Sequence, residues 1–319
     1  MTFDLHKNMK FSLTLILSCL ILFLASCSIP QKKTDTIFSN IELQTSNKNK
    51  EIILEKMLEG DFDFSVSFNK ESSYKLNDNI MNSSLKYFCN SFIQDQNKYL
   101  ESLIFDSSKN NSKKILIIYS KNYENDVFEI KKKHPNELYF YLDSENYETE
   151  IKEILGVEGS VNQFNQIYNF DKSLKIEHSP RIRNDISKIY FLLDYDFGKT
   201  IVPIVRNYAF GIDFYSSSEI LHGASDLNKL VDFENLNTPL SNELLKKIQK
   251  EKNIESIGNE LEKLLIEDFL LIEMVYQNNF FEKNLTLNTS AQNIQNNNKC
   301  IKRNFSVSRI SSVELSSLP

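Results

Sequence analysis

An apolar run, a helical pattern and a second apolar run occur in succession near the middle of this chain, and they constrain its fold most. Residues Ile189 to Leu193 form a continuous aliphatic and aromatic stretch that ends at Asp194. Such a stretch is typical of a strand buried on both faces of a parallel sheet. Residues Gly198 to Tyr208 have apolar side chains at helical spacing, with Pro203 placed near the first turn. Because Ile212 to Ser216 then has the pattern of a second strand, the order predicts one right-handed βαβ unit.

The same alternation of strands and helices extends toward the N-terminus. Strands are predicted at Ile115 to Tyr119 and Leu138 to Leu142, and helices at Tyr123 to Lys132 and Tyr147 to Leu155. The chain has 319 residues, of which 41% are hydrophobic, enough to bury a substantial core. We therefore predict an α/β fold with parallel sheets flanked by helices. A further small strand is predicted around Leu230 to Phe233.

The first 27 residues have the pattern of a secretory leader. Lys7 and Lys10 precede Phe11 to Leu24, an uncharged apolar run that is too short for a permanent transmembrane helix. Leu24 to Cys27 (LASC) resembles the lipobox of bacterial lipoproteins, in which Cys27 would be acylated. Ser28 in place of aspartate suggests sorting to the outer membrane, facing the periplasm. The alternative is an ordinary signal peptide with an incidental cysteine, and translation starts at Met1 or Met9.

Two of the four cysteines remain outside this leader, which contains Cys19 and Cys27. Cys89 and Cys300 lie far apart in the sequence, in a compartment that permits disulfides. We expect two buried free thiols, with a disulfide as the alternative. Residues 28 to 35 form a short tether.

Charge and motif content exclude several classes of function. The net charge of −6 disfavours a nucleic-acid partner, which needs a basic face. His134, His178 and His222 stand alone, so no metal site is expected, and no cofactor motif is present. The chain contains no G-x-S-x-G, H-E-x-x-H or complete S-x-x-K motif set, so an enzyme is not expected. The basic residues near the C-terminus favour a solvated strand face, or else contact with an acidic partner or an anionic polymer; they are Lys299, Lys302, Arg303 and Arg309.

Several short motifs follow one another in the central and C-terminal parts of the chain. They are Ile151 to Val157 (IKEILGV), Arg181 to Ile186 (RIRNDI), Ile201 to Pro203, Asn207 to Ala209, Ser216 to Ser218, the set Asp226, Leu227 and Phe233, and Asn298 to Arg303 (NKCIKR) with a final Pro319. In order and spacing they resemble the C-terminal domain of LpoA-type penicillin-binding-protein activators. These activators are outer-membrane lipoproteins with a type I periplasmic-binding-protein fold. Ser160 matches the serine at the helix start that follows the first motif in that family.

The resemblance covers residues 85 to 319, and residues 34 to 84 less completely. Asn235 to Thr238 replace the family's D-M-P-W turn, and Leu270 to Met274 lack the glycine of its L-G-x-D-A helix. Ser187 stands where the family has a second Asp. The family's preceding helical-repeat domain and the first strands of its first lobe have no match in this sequence. The resemblance implies two lobes: a reduced first lobe at residues 36 to 110, and an α/β lobe with C-terminal strands at residues 111 to 319.

The resemblance implies a non-catalytic lipoprotein that docks on a class A penicillin-binding protein and promotes peptidoglycan synthesis. It assigns no interface or ligand-binding residues. A second hypothesis is a solute-binding lipoprotein for a small ligand such as an amino acid, which would need a cleft with convergent polar groups. A third is a structural lipoprotein without a partner, and a fourth is a peptidoglycan hydrolase or another enzyme.

Overall fold

The computed structural model describes residues 39–45, 50–54, 64–68, 75–76, 80–82, 87–106, 113–142, 146–172, 175, 177–240, 245, 255–277, 286–293 and 300–311. Only the backbone is described for residues 39–45, 64–68, 75–76, 227–228, 274–277, 286 and 290–293. The predicted leader with its lipobox, Leu24 to Cys27, and the tether at residues 28 to 35 lie outside the described residues. So does Pro319.

A small sheet forms in the first part of the described chain. Its strands are β1 (Ser39–Thr45), β2 (Phe64–Phe68) and β3 (Lys75–Leu76), in the order β2-β1-β3. β1 and β3 pair in parallel. Residues 50–54, between β1 and β2, are helical.

The largest sheet has six strands, five of which are parallel. It contains β4 (Lys114–Tyr119), β5 (Leu138–Tyr141), β6 (Ile186–Leu192), β7 (Asp213–Ser216) and β8 (Leu236–Thr238). After a separate hairpin of β9 (Thr286–Leu287) and β10 (Ser290–Asn293), strand β11 (Ser308–Arg309) completes it. The order is β11-β8-β7-β6-β4-β5, and β11 runs antiparallel to β8. The predicted α/β class with a mostly parallel sheet is therefore confirmed.

Helices cover both faces of this sheet. In chain order they are α1 (Phe92–Asp106), α2 (Glu124–Lys133), α3 (Tyr147–Ile154), α4 (Val157–Phe170), α5 (Tyr195–Tyr208) and α6 (Ile257–Gln277). α1 and α2 pack on one face, against β4 and β6. α3 and α5 pack on the other face, where α6 joins the same core.

Strand β6 determines this two-sided packing. Tyr190 and Leu192 face α1 and α2, whereas Ile189 and Phe191 face the opposite core. All four side chains are buried. Because each such side chain contributes about 1.5–3 kcal/mol when it is buried, leaving either face uncovered would cost several kcal/mol.

The βαβ unit forms as predicted, although α5 begins earlier than expected. The side chain of Asp194 caps the helix by accepting a hydrogen bond from the Phe197 backbone N–H at 3.0 Å. The helix therefore begins at Tyr195 rather than at Gly198. Pro203 consequently lies in the interior of α5 and not near its first turn. Gly211, with φ of 76°, adopts the left-handed conformation in the turn that leads to β7.

The predicted strand at Leu230 to Phe233 is wrong. This segment is a 3-10 helix, Leu227–Phe233, and the strand follows it as β8. Leu230 and Phe233 are both buried, and a spacing of three residues places them on one side of a 3-10 turn. Arg206 stabilises the end of this turn, because its Nη1 donates to the carbonyl oxygens of Val231, Asp232 and Glu234 at 3.1, 3.4 and 3.2 Å.

The terminal segment, residues 300–311, connects distant parts of the molecule. Cys300 forms a disulfide with Cys89, with their Cα atoms 4.9 Å apart, so the expectation of two free thiols is wrong. Ile301 exchanges backbone hydrogen bonds with the Tyr87 carbonyl and the Cys89 N–H. The segment ends as β11 on the edge of the main sheet. Cys89 and Cys300 are 211 positions apart, so no local pattern reveals that tertiary packing brings them together.

Arg303 is buried within this segment rather than solvated, contrary to the expectation for the basic residues near the C-terminus. Its Nη1 donates to an Asp95 carboxylate oxygen at 3.1 Å and to the Asn90 carbonyl oxygen at 3.1 Å. Its guanidinium carbon lies 3.7 Å from the centre of the Phe88 ring. The ion pair and the ring contact together compensate for removing the cation from water. Arg309 and Lys302 are exposed.

We expect replacement by alanine to change the free energy of unfolding in opposite directions at two glycines that lie in helices. A Cβ at Gly198 would crowd Ile220 Cγ1, whereas a Cβ at Gly159 has nothing within 4 Å. We expect Gly198→Ala to lower the free energy of unfolding by about 1–3 kcal/mol, because the core is overpacked. We expect Gly159→Ala to raise it by about 0.5–1 kcal/mol through helix propensity. Urea unfolding of both variants tests this, and equal effects would contradict the tight packing of α5.

Because of the disulfide, we expect the stability of the protein to depend on whether a reductant is present. Opening it removes a constraint on a long loop of the unfolded chain, so reduction should lower the free energy of unfolding by about 2–4 kcal/mol. Urea unfolding with and without dithiothreitol measures the difference. The Cys300→Ser variant is the control: it should have the reduced stability in both buffers and show no response to dithiothreitol.

Candidate functional site

The carboxyl ends of β4 and β6 form the most informative polar site among the described residues. β5 lies on one side of β4 and β6 lies on the other, so the order of the strands reverses at this point. In open α/β sheets, ligands bind in the crevice outside the carboxyl ends of the strands at such a switch point. We call the polar group at this edge the strand-end site; it comprises Ser120, Asn122, Tyr123, Asp194 and Glu219.

Ser120 is the central residue of the strand-end site. It directly follows β4, and its backbone N–H donates to the Leu192 carbonyl of β6 at 3.2 Å. The side chain is buried, with 2% exposed, and its Oγ has no hydrogen-bond partner among the described residues. A buried hydroxyl without a partner costs free energy, so Ser120 offers a donor and an acceptor to an incoming group.

Tyr123, which is buried, and Glu219, which is half-buried, form a hydrogen-bonded pair beside Ser120. Burial and the nearby Glu219 charge raise the pKa of the Tyr123 hydroxyl, so the phenol stays protonated and donates to Glu219. Burial also raises the pKa of Glu219, although hydrogen bonds from Tyr123 and Asn82 lower it in part. Asp194, on the other side of the switch point, accepts from Asn122 Nδ2 at 3.4 Å. The group therefore combines neutral donors with two carboxyl groups.

The carboxyl ends of the neighbouring strands are filled by the chain itself. Gln96, in the first part of α1, is fully buried. Its Oε1 accepts from both the backbone N–H and the hydroxyl of Ser218, each at 2.9 Å, just beyond the end of β7. Its Nε2 lies 3.5 Å from the carbonyl of Pro239, which follows β8. The ends of β7 and β8 are thus closed by an internal polar network rather than left open to a ligand.

His222 continues this network toward α6. Its Nε2 lies 3.3 Å from Ser218 Oγ, and its carbonyl accepts the Gly258 backbone N–H at 3.0 Å. Burial lowers the pKa of His222 to about 4, so the ring is neutral at pH 7. A Cβ at position 258 would lie 2.9 Å from His222 Cβ, which explains a glycine at the start of α6. His222 is therefore a structural link between the β7 turn and α6.

A second serine and histidine pair lies on the surface beside α4. Ser160 Oγ is 3.2 Å from His178 Nε2 and also accepts the Arg181 backbone N–H at 3.1 Å. The His178 ring stacks on Phe164 with centroids 4.4 Å apart. No carboxylate contacts His178 in the described part of the chain, so the orienting third group of a catalytic triad is not found there. The pair ties the loop after α4 to the helix.

Metal ligation and membrane spanning find no support in the described residues. No group of three or more His, Cys, Asp or Glu side chains there is arranged to hold a metal ion. None of the helices described is both long enough and apolar enough to cross a bilayer. What the strand-end site can do chemically is form hydrogen bonds and attract a cationic group.

The one site residue predicted from the sequence, Cys27, lies outside the described residues. Sequence reasoning missed Ser120, Gln96 and Glu219. A signal existed for Ser120, because it directly follows a clearly patterned strand, and side chains in that position cluster at the ligand edge of a parallel sheet. Gln96 carries no such signal, because a glutamine on a helix is ordinarily solvated.

Comparisons with known proteins give distant structural likenesses. No family model and no curated protein matches the chain. Full-length LpoA from Haemophilus influenzae aligns with 9% identity and a TM-score of 0.39, over 86% of this chain and 48% of that one. The chain thus spans about half the length of full-length LpoA. The C-domain of LpoA from the same organism, described as a regulator of PBP1A, aligns with 9% identity and a TM-score of 0.39, over 86% of this chain and 82% of that domain.

A binding protein of another kind aligns equally well. It is a putative branched-chain amino acid ABC transporter from Rhodospirillum rubrum, with 8% identity and a TM-score of 0.40, over 86% of this chain and 96% of that one. Similarity at this level does not distinguish a regulator from a solute receptor.

The half-buried, neutral His222 leads us to expect a pH dependence of stability. Its folded pKa of about 4 lies below its ordinary value of 6.5. Its contribution to stability is therefore complete above pH 6.5 and is lost as the pH falls toward 4. We expect wild type to lose about 1–3 kcal/mol more than His222→Gln between pH 6.5 and 4.

Urea unfolding at both pH values measures this difference. Glu219 and Asp268, whose pKa values are raised chiefly by burial, are present in both proteins, so their effects cancel. Equal losses in the two proteins would show that His222 is not the titrating group.

Proposed function

We propose that this chain is a non-catalytic outer-membrane lipoprotein that binds a class A penicillin-binding protein and activates its synthesis of peptidoglycan. The protein faces the periplasm and is anchored through lipids on Cys27. Its partner carries both the glycosyltransferase and the transpeptidase activity.

The filled strand ends are the observation that carries this proposal. Gln96 hydrogen-bonds across the ends of β7 and β8, and replacing those contacts with a solute would leave its buried amide without partners. A fold that closes two of its strand ends with its own side chains is suited to a docking body. This favours an activator over a solute receptor.

The family-like motifs support the same interpretation, because three of them fall at junctions between elements. IKEILGV spans α3 and the start of α4, and RIRNDI leads into β6. Ile201 to Pro203 lies within α5, and Ser216 to Ser218 ends β7. Motifs at junctions reflect how consecutive elements connect, so their shared order with the LpoA-type family is consistent with a shared chain path.

Activation without catalysis has a simple physical basis. A partner surface that binds the active conformer of the synthase more tightly than the inactive one shifts the population toward the active conformer. A coupling free energy of about 1–3 kcal/mol corresponds to about a 5–150-fold preference. Attachment through acyl chains on Cys27 would keep the docking body at the membrane, because each buried methylene contributes ~0.8 kcal/mol.

A second candidate function rests on Ser120. Its buried hydroxyl, which has no hydrogen-bond partner among the described residues, lies at the switch point, and Asp194 and Glu219 follow β6 and β7 at the same edge of the sheet. A small solute with an ammonium group, such as an amino acid, would satisfy the hydroxyl and approach the carboxyl groups. This supports a solute-binding lipoprotein as the alternative.

The deciding experiment measures glycan polymerisation and crosslinking by a purified class A synthase, with and without the full chain in the same detergent. Direct binding is measured in parallel. We expect complex formation and faster synthesis. The Ser120→Ala variant is the matched control, because it should bind and activate like wild type if the strand-end site takes no solute.

The opposite result would support the receptor. If the synthase rate is unchanged, no complex forms, and an amino acid raises the melting temperature of wild type but not of Ser120→Ala, the activator proposal fails. In that case the strand-end site binds a small ligand.

A further inference from the structure

The Cys89–Cys300 disulfide lies at the surface, although it joins distant parts of the chain. Cys300 is exposed and Cys89 is half-buried, so the bridge is accessible to solvent from the Cys300 side. Exposed disulfides are reduced more readily than shielded ones, and regulatory disulfides are drawn from the exposed kind. The exposure of Cys300 therefore indicates a bridge that a reductant can attack while the protein stays folded.

The sequence around Cys300 favours this attack. Lys299 precedes the cysteine, and Lys302 and Arg303 follow it closely. Lys302 is exposed. Positive charges near a cysteine attract an incoming thiolate and stabilise the thiolate that leaves, so they promote the exchange of thiols with a disulfide.

The disulfide fastens the start of the terminal segment to the residues that lead into α1. We call residues 300–303 the clasp. Within it, Ile301 pairs in parallel with Phe88. The Ile301 N–H donates to the Tyr87 carbonyl at 2.8 Å, and the Cys89 N–H donates to the Ile301 carbonyl at 3.0 Å. Because water replaces such bonds when they break, each one contributes only a modest net stabilisation.

Arg303 adds a buried ion pair to the clasp but little net stability. The Arg303 residue is 7% exposed and its partner Asp95 is 8% exposed. Arg303 Nε has no hydrogen-bond partner among the described residues. Burial lowers the pKa of Arg303, and the Asp95 charge offsets this effect only in part. Since removing two charges from water consumes most of their attraction, hydration of both groups compensates for separating them.

The rest of the terminal segment is held by apolar packing. The Phe305 ring lies against the Phe92 ring, with their centroids 5.7 Å apart. Ile310, beside β11, is buried in the same core as α6. These contacts do not involve the disulfide. The described segment therefore has two parts, a clasp that depends on the covalent bridge and a packed part, residues 305–311, that does not.

We propose that the Cys89–Cys300 disulfide is a redox-sensitive device: reduction by a dithiol releases the clasp from the start of α1 while the rest of the fold stays in place. A thiolate of the dithiol first bonds to the Cys300 sulfur. The S–S bond breaks, and Cys89 leaves as a thiolate that takes up a proton. The second thiol of the reductant then loses its proton and bonds to the first, and Cys300 leaves in the same way. The dithiol is oxidised by two electrons to a disulfide, and the protein keeps two thiols.

Release of the clasp acts on the first turns of α1. Asp95 loses its cation, and the Phe88 ring loses the Arg303 guanidinium that covers it. The next residue, Gln96, accepts the hydrogen bonds from Ser218 that close the end of β7. The disulfide therefore holds the same helical turn that closes this strand end, and oxidised protein holds it more firmly than reduced protein.

Limited proteolysis of the full chain tests this device. The protein is reduced with dithiothreitol or left oxidised, its thiols are blocked with iodoacetamide, and both reagents are removed before trypsin is added. Cleavage after Arg303 requires the clasp to leave α1, because Arg303 is buried. Cleavage after Arg206 requires α5 to unfold, because Arg206 lies within that helix. Mass spectrometry measures both cleavages in the same sample.

Two variants serve as controls. Cys300→Ser has no bridge with or without dithiothreitol, so it represents the open clasp in both buffers. Gly198→Ala keeps the bridge but is expected to be less stable, so it reports what a general loss of stability does to cleavage after Arg303.

We expect reduction to raise the rate of cleavage after Arg303 at least about tenfold and to leave cleavage after Arg206 unchanged. Cys300→Ser should be cleaved after Arg303 at the reduced rate under both conditions. Gly198→Ala should be cleaved there slowly unless it is reduced.

Three results would overturn the inference. If reduction leaves cleavage after Arg303 unchanged, the non-covalent contacts hold the clasp by themselves. If cleavage after Arg206 rises in parallel, the disulfide supports the whole fold and not one segment. If iodoacetamide does not label Cys300 after treatment with dithiothreitol, the bridge is shielded in the folded protein. None of these results depends on the synthase, so the proposed function is tested separately.

Discussion

The burial of β6 on both faces is the constraint on which the rest of this structure depends. The side chains of Tyr190 and Phe191 point to opposite sides of the sheet, and both are completely buried. One face is covered by helices that follow β5 and β6 in the chain. The other is covered in part by α1, which precedes β4, with Leu100 and Ile104 completely buried against the sheet. The residues before the main sheet are therefore part of its core.

The position of α1 has a consequence for the strand-end site. A helix that packs along the strands brings its first turns to the carboxyl edge, where Gln96 meets Ser218. A buried amide without hydrogen-bond partners would be costly in free energy. Gln96, which is removed from water, therefore has its partners within the protein, in the network with Ser218 and His222. Ser120, two strands away, lies beyond the reach of this network and keeps an unpartnered hydroxyl among the described residues. The closure of the ends of β7 and β8, and its absence at Ser120 among the described residues, thus follow from the position of the same helix.

Local sequence patterns predicted strands β4 to β7 and helices α2, α3 and α5, because burial on two faces leaves a continuous apolar run at β4 and β6. They failed where the determining contact is distant. The Cys89–Cys300 disulfide joins residues 211 positions apart, and nothing near either cysteine indicates the other. Arg303 has the local pattern of a solvated residue because its partner, Asp95, lies on α1. Errors at a finer scale have local causes: a short apolar segment such as Leu230 to Phe233 fits both strand and helix, and Arg206 favours the 3-10 turn by donating to its terminal carbonyls. Of the strand-end site, the positions of Ser120 and Asp194, each directly after a predicted strand, were accessible from sequence.

The polar network of Gln96, Ser218 and His222 and the exposed end of α4 differ in what folding requires of them. Every polar group that closes the ends of β7 and β8 is needed to satisfy a buried neighbour, so its chemistry is explained by stability alone. The exposed end of α4 is not required for folding in this way. Replacing Ile167 or Phe170 with a polar residue would hardly change the free energy of unfolding, since both side chains are mostly in water. Apolar residues that stability does not require, on a stretch of helix without charged residues, point to binding rather than folding as the reason for their presence.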